Sequence, residues 1–127
     1  MKPSTREWVA KAEEDFLAAS ALNRRRKRPL WNVVCFHVQQ TIEKYLKARL
    51  EEASQSVPKT HDLLHLLNVL TGVEPLWSAY HSAFSLLISY AVQTRYPGSS
   101  VTKADARHAM RLCRQFRKEA RHSLGLR

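Results

Sequence analysis

At 127 residues the chain is long enough for one hydrophobic core and not for two, and its 44% apolar content speaks for a folded globular protein. Twenty-one lysines and arginines stand against eleven acids, a formal charge of +10 that suits contact with a polyanion or an acidic protein and says nothing about fold. Three glycines argue against a turn-rich sandwich or barrel, and two cysteines without partners at ligand spacing argue against a zinc site or a disulfide framework. The opening stretch MKPSTREWVAKAEEDF has no apolar run of signal-peptide type, and no segment approaches the ~20 apolar residues of a membrane span. The expectation is a cytoplasmic chain without membrane contact, metal or cofactor, forming one domain over residues 1–127.

Ser4-Thr5-Arg6-Glu7 has the form of a capping box. From there Trp8, Ala12, Phe16, Ala19 and Leu22 recur at helical spacing to about Asn23. The run RRRKRP, Arg24 to Pro29, breaks the pattern, and Pro29 suits the start of a second helix from about Leu30 to Ala53. SQSVPKT is a polar loop, after which Thr60 can cap a short third helix, HDLLHLLNVLTG, that Gly72 ends. A fourth helix starts near Pro75 and gathers Trp77, Tyr80, Phe84, Leu87, Ile88 and Ala91 on one face. TRYPGSS is a turn, and Thr102-Lys103-Ala104-Asp105 is a second capping box that opens a final helix to about Leu124. Short connections and the absence of a strand pattern predict an all-α, up-and-down bundle of four long helices plus one short helix.

Projected at about 100° per residue, the second helix separates into two faces. Val34, Val38, Thr41, Ile42, Tyr45 and Ala48 form the apolar side, with Cys35 and Leu46 at its edge, while His37, Gln40, Glu43, Lys44 and Lys47 fill the other. Phe36 projects from the polar face, and an exposed aromatic there suggests a partner surface, most simply that of a homodimer. On the last helix Lys103, Arg107, Arg111, Arg114, Lys118 and Arg121 recur at spacings of three and four. Their complement, Ala106, Ala109, Cys113, Phe116 and Ala120, keeps the same rhythm and should face the core. Neighbouring like charges repel, so the stripe reads either as a solvated face or, joined by the Arg24–Arg28 loop, as a phosphate-tracking surface with salt-dependent binding. No aromatic platform is interleaved with it.

AEEDFLAAS on the first helix, CFHVQQTIEKYLKARL on the second, PKTHDLLHLL on the third and TRYPG after the fourth occur in this order from about Trp8 to Gly98. Together they resemble the HEPN family of bacterial and archaeal helical proteins. The resemblance implies a dimerising helical bundle, a nucleotide or RNA ligand, and a gene often paired with a minimal nucleotidyltransferase in a toxin–antitoxin system. It draws attention to Asp15, His37, Gln40, Lys44, Arg95 and Tyr96 as binding residues, with Asp15 a partner for either His37 or Arg95.

Some members of that family are metal-independent RNases with an Arg-x4-6-His motif, the histidine serving acid–base chemistry and the arginine the scissile phosphate. Here the only such spacing is Arg117 to His122, in RKEARH near the C-terminus, and YAVQTRYPG carries Arg95 with no following histidine in range. Three readings follow. The chain is a non-catalytic nucleotide- or RNA-binding module, or partner of a nucleotidyltransferase. It is an endoribonuclease using Arg117 with His122, or His37 with Arg95. Or it is a structural subunit whose basic stripe docks an acidic neighbour.

Overall fold

A computed structural model describes all 127 residues. Its elements are helices: α1 (Pro3–Asn23), α2 (Trp31–Glu52), the short α3 (Leu63–Val69), α4 (His81–Gln93) and α5 (Lys103–Ser123). One 3-10 turn, Leu70–Gly72, extends α3, and another, Pro75–Tyr80, leads into α4. Contacts at the helix ends fix the directions. Asn32 accepts from the Val101 backbone at one end, and Arg49 donates to Ser123 at the other, so α2 and α5 run parallel. Thr5 bonds Glu52 while Glu13 bonds Tyr45 and Arg117, so α1 is antiparallel to both.

The core faces are those that helical periodicity requires. Val34, Val38, Ile42, Tyr45, Leu46 and Ala48 of α2 are fully or nearly fully buried, as are Ala106, Ala109, Cys113, Phe116 and Ala120 of α5. Phe116 is the hub of an aromatic cluster, with the rings of Trp77, Tyr80 and Phe84 at 5.0, 5.1 and 5.2 Å in edge-on geometry. Burying one such ring stabilises the fold by about 1.5–3 kcal/mol, and the edge-to-face contacts add to that. Cys35 and Cys113 are buried free thiols, and burial pushes each of them up to about 12, which leaves them inert as nucleophiles.

The ends of the helices show where tertiary contacts overrule local motifs. The box at Ser4 and Glu7 does not form. Pro3 occupies the first helical turn with Lys2 as N-cap, which moves the start of α1 upstream of Ser4. The free donors there are met by the C-terminal carboxylates of antiparallel α2: Glu52 accepts from the Lys2 backbone and the Thr5 hydroxyl, and Glu51 from the Ser4 hydroxyl. Asp62, not Thr60, caps α3, accepting from the Leu64 and His65 amides, while the Thr60 hydroxyl accepts from the Asp62 amide just before the helix. The box at Thr102 and Asp105 does form. α2 and α5 end in the same way, with amide bonds Ser54 to Glu51 and Gln55 to Leu50 in one, and Gly125 to His122 and Leu126 to Arg121 in the other. The left-handed residue is Gly125 after α5 but Ser54 after α2.

Candidate functional site

The polar face expected on α2 is divided. Asp15 of α1 is only 9% exposed and receives two α2 side chains: the His37 Nδ1 at 2.8 Å and the Lys44 ammonium. An ionised carboxylate only accepts, so the proton sits on Nδ1 and Nε2 is left as the free ring nitrogen. Phe36, 55% exposed, stands edge-on to the imidazole with centroids 5.3 Å apart. Of the two partners open to Asp15, the fold selects His37. Arg95 and Tyr96 lie exposed in the turn after α4 and make no side-chain hydrogen bond with this cluster. Gln40 is half-buried beside it.

Lower on α2 the projection fails. Glu43 and Lys47, placed on the solvent side by periodicity, are 2% and 6% exposed. The loop before α3 swings His61 over Glu43, with Nδ1 at 3.0 Å, and Trp8 of α1 covers Lys47, whose ammonium lies 5.5 Å from the indole centre. The two side chains pair at 3.2 Å, which makes burial of both tolerable where burial of either alone would be costly. Near the end of α2, Arg49 bridges Glu74 and Ser123.

A second inward cluster centres on Glu13. Arg117 grips its carboxylate with Nε and an Nη at 2.8 and 2.6 Å, the Tyr45 hydroxyl donates to it, and Arg121 stands 3.7 Å away. The Arg117 guanidinium also lies 4.2 Å from the centre of the Phe16 ring. Burial alone would raise the Glu13 carboxyl, but the hydrogen bonds and charge of Arg117, with Tyr45 and Arg121, bring it below the usual carboxylate range. Burial and the bond to Glu13 push Tyr45 up to about 12. Arg121 is thus a correction to the expected basic stripe. It turns inward to the Tyr45 hydroxyl at 3.1 Å and to the Arg127 carbonyl.

The same cluster bears on the Arg117–His122 spacing. Five residues on one helix differ by about 140° in direction. Arg117 faces α1, whereas His122 is exposed and borders a hollow with Glu74, Trp77 and Lys118. The two are not brought together.

The remaining cations of α5, Lys103, Arg107, Arg111, Arg114 and Lys118, are exposed. None takes part in an ion pair of the chain. Arg24, Arg25 and Arg26, from the α1–α2 turn, join Lys103 and Arg107 around an open concavity of about 820 Å³. Sequence reasoning missed Glu13, Trp31 and the Glu43–His61 pair. Glu13 had a faint signal, an acid set at i−3 from Phe16 beside the apolar stripe. The other two depend on where loops fold back and leave no trace in periodicity. No group of three or more His, Cys, Asp or Glu side chains is placed to hold a metal ion, and no helix is long and apolar enough to cross a membrane.

Neither the curated proteins nor the solved structures give a significant match to this chain. The family model described as "HEPN domain" matches residues 5–123, which takes in all the helices but for the first residues of α1. The quoted motifs of α1, α2 and α3 lie inside that match, and so do both clusters built on Asp15 and Glu13. The chain therefore belongs to the HEPN domain family.

Proposed function

We propose that this HEPN chain works by binding, not by cleaving: a homodimeric module that engages nucleotide or RNA, and a nucleotidyltransferase partner, in a cytoplasmic toxin–antitoxin-type system. The observation that carries the reading is the division of its cations. Arg117, the arginine of the only nuclease-like spacing, is consumed by Glu13, while the outer cations of α5 and of the α1–α2 turn face solvent without a carboxylate. Interaction with phosphates is what an uncompensated basic surface serves best. Exposed Phe36, beside Val33 and Leu30 at 36% and 39% exposure, supplies an apolar face for the second copy. Fluorescence titration with nucleotides and short RNA, alongside sedimentation and pull-down of a co-expressed nucleotidyltransferase, tests this. Binding that weakens steeply with salt is expected; no ligand and no partner at low salt would sink it.

One observation favours a second reading, the endoribonuclease. Asp15 orients His37 and leaves Nε2 free, an arrangement suited to proton transfer. RNA incubated with the protein and EDTA separates the two. Cleavage that survives chelation and disappears in His37→Ala supports the nuclease with His37 as its base, while loss in His122→Ala alone would move the chemistry to the end of α5.

A further inference from the structure

We propose that the concavity between the α1–α2 turn and the start of α5 holds the terminal phosphate of a nucleic-acid strand, whose phosphodiester backbone then follows the cations along α5. The inference rests on the nucleic-acid reading above and gives it a site away from Asp15 and His37. Arg24, Arg25, Arg26, Lys103 and Arg107 all line the concavity, and no acidic residue does. The nearest acid along the chain, Asp105, is taken up by the capping box, its carboxylate accepting from the Thr102 amide. Five like charges from segments nearly eighty positions apart are therefore gathered by the fold without a counter-charge.

Charge density distinguishes the concavity from the stripe beyond it. Along α5 the outward cations Arg107, Arg111, Arg114 and Lys118 recur every three or four residues, a spacing of about 4.5–6 Å at the helical rise. That is the pattern for a chain of singly charged diesters. At the concavity five cations border a single hollow of about 820 Å³, which suits a group of higher charge. A terminal phosphomonoester carries about −1.5 to −2 at neutral pH and three acceptor oxygens, and guanidinium forks match those oxygens in pairs. From Lys103 to Lys118 the track is about 22 Å long at that rise.

Trp31, the first residue of α2, completes the site. It packs against the core on one side and lines the concavity on the other. An indole held in this way is a stacking surface for the terminal base, and stacking is tolerant of sequence. The turn is held in shape by Arg28 in the left-handed region, at φ 49°, and by the Arg25 Nε bonded to the Lys27 carbonyl at 2.8 Å. The remaining donors of Arg25 stay available.

The test compares RNAs of two lengths, about five and ten nucleotides, each carrying a 5′-hydroxyl, a 5′-phosphate or a 3′-phosphate, bound to the full chain at low salt, with ATP as competitor. A phosphorylated end is expected to bind about ten-fold more tightly than the hydroxyl form. That advantage disappears in the triple variant Arg24→Gln, Arg26→Gln, Arg107→Gln, whose substituted side chains are exposed and whose circular dichroism stays unchanged. Arg114→Gln with Lys118→Gln weakens every form alike and leaves the advantage intact. Equal affinity for hydroxyl and phosphate ends overturns the proposal, as does an advantage that survives the triple variant. Displacement by ATP together with affinity independent of strand length also overturns it, since the pocket would then serve a free nucleotide. Absence of any RNA binding is a different outcome, because it removes the nucleic-acid reading itself.

Discussion

The inner and outer arginines of α5 share one helix and one side-chain chemistry, yet the protein uses them in opposite ways. Arg117 and Arg121 converge on Glu13 and the Tyr45 hydroxyl, partly shielded from water at 28% and 19% side-chain exposure. Arg107, Arg111 and Arg114, nearer the start of the same helix, stand in solvent with no carboxylate. A shielded charge left without its partner is costly, whereas an exposed one keeps its hydration. The lesson is that net charge overstates the surface available to a ligand. Part of the excess is bound up in holding α1 against α5, and only the outer part is free to meet a polyanion.

Removing Glu13 should break this division most severely. Glu13→Gln leaves two guanidinium groups without a counter-charge in a half-shielded seam, and the expected loss is about 2 kcal/mol, between the values for exposed and buried pairs. Urea unfolding reads it directly; an unchanged midpoint would mean that the seam adds nothing. The pH dependence sharpens the point. Because the folded Glu13 carboxyl lies below its unfolded value near 4.5, its contribution is complete above that pH and is lost as pH falls through the lower folded value. Unfolding midpoints between pH 6 and 3 should therefore decline less steeply in Glu13→Gln than in the wild type. Tyr45 acts at the other end. With its folded value raised from 10 to about 12, its contribution is whole below pH 10 and fades across that interval, so Tyr45→Phe should flatten the alkaline limb.

Asp15→Asn probes the other paired cluster, where His37 and Lys44 share one carboxylate. A loss of about 1–2 kcal/mol is expected, less than at Glu13 because His37 and Lys44 give Asp15 one hydrogen bond each, whereas Glu13 takes two from Arg117 and a third from Tyr45. Calorimetry that finds Asp15→Asn costlier than Glu13→Gln would reverse the ranking. The smallest effect belongs to the outer flank. Arg111→Gln with Arg114→Gln should change stability by less than about 0.5 kcal/mol, in the stabilising direction at low salt, with the gain vanishing at high salt as screening removes the repulsion. Thermal melts at two ionic strengths decide it.

The bundle was legible because helical periodicity is a local property. The apolar rhythm of α2 and α5 marked their buried faces, and Thr102 with Asp105 marked the start of α5 correctly. The Ser4–Glu7 box misled because Pro3 starts the helix earlier and because Glu51 and Glu52, some forty-seven positions away, take the donors that a local box would have used. Glu43 and Lys47 misled for a related reason. Projection assigns a residue to a face of its own helix but cannot know that His61 and Trp8 will cover that face.

The candidate sites divide along the same line. Side-chain chemistry and helical register named His37, Lys44 and the cations of α5, and the ordered motifs named the family. The union of Asp15 with His37 rather than Arg95, the capture of Arg117 and Arg121 by Glu13, and the meeting of Arg24, Arg25 and Arg26 with Lys103 and Arg107 came only with the packed structure. By itself the sequence determined which residues could form helices, which faces would leave water and how much positive charge the chain carries, since these follow from neighbours within a few positions. Tertiary structure alone decided which charges meet. Ion pairing depends on distances of a few ångströms between segments far apart in the chain, and those distances are set by how the helices pack.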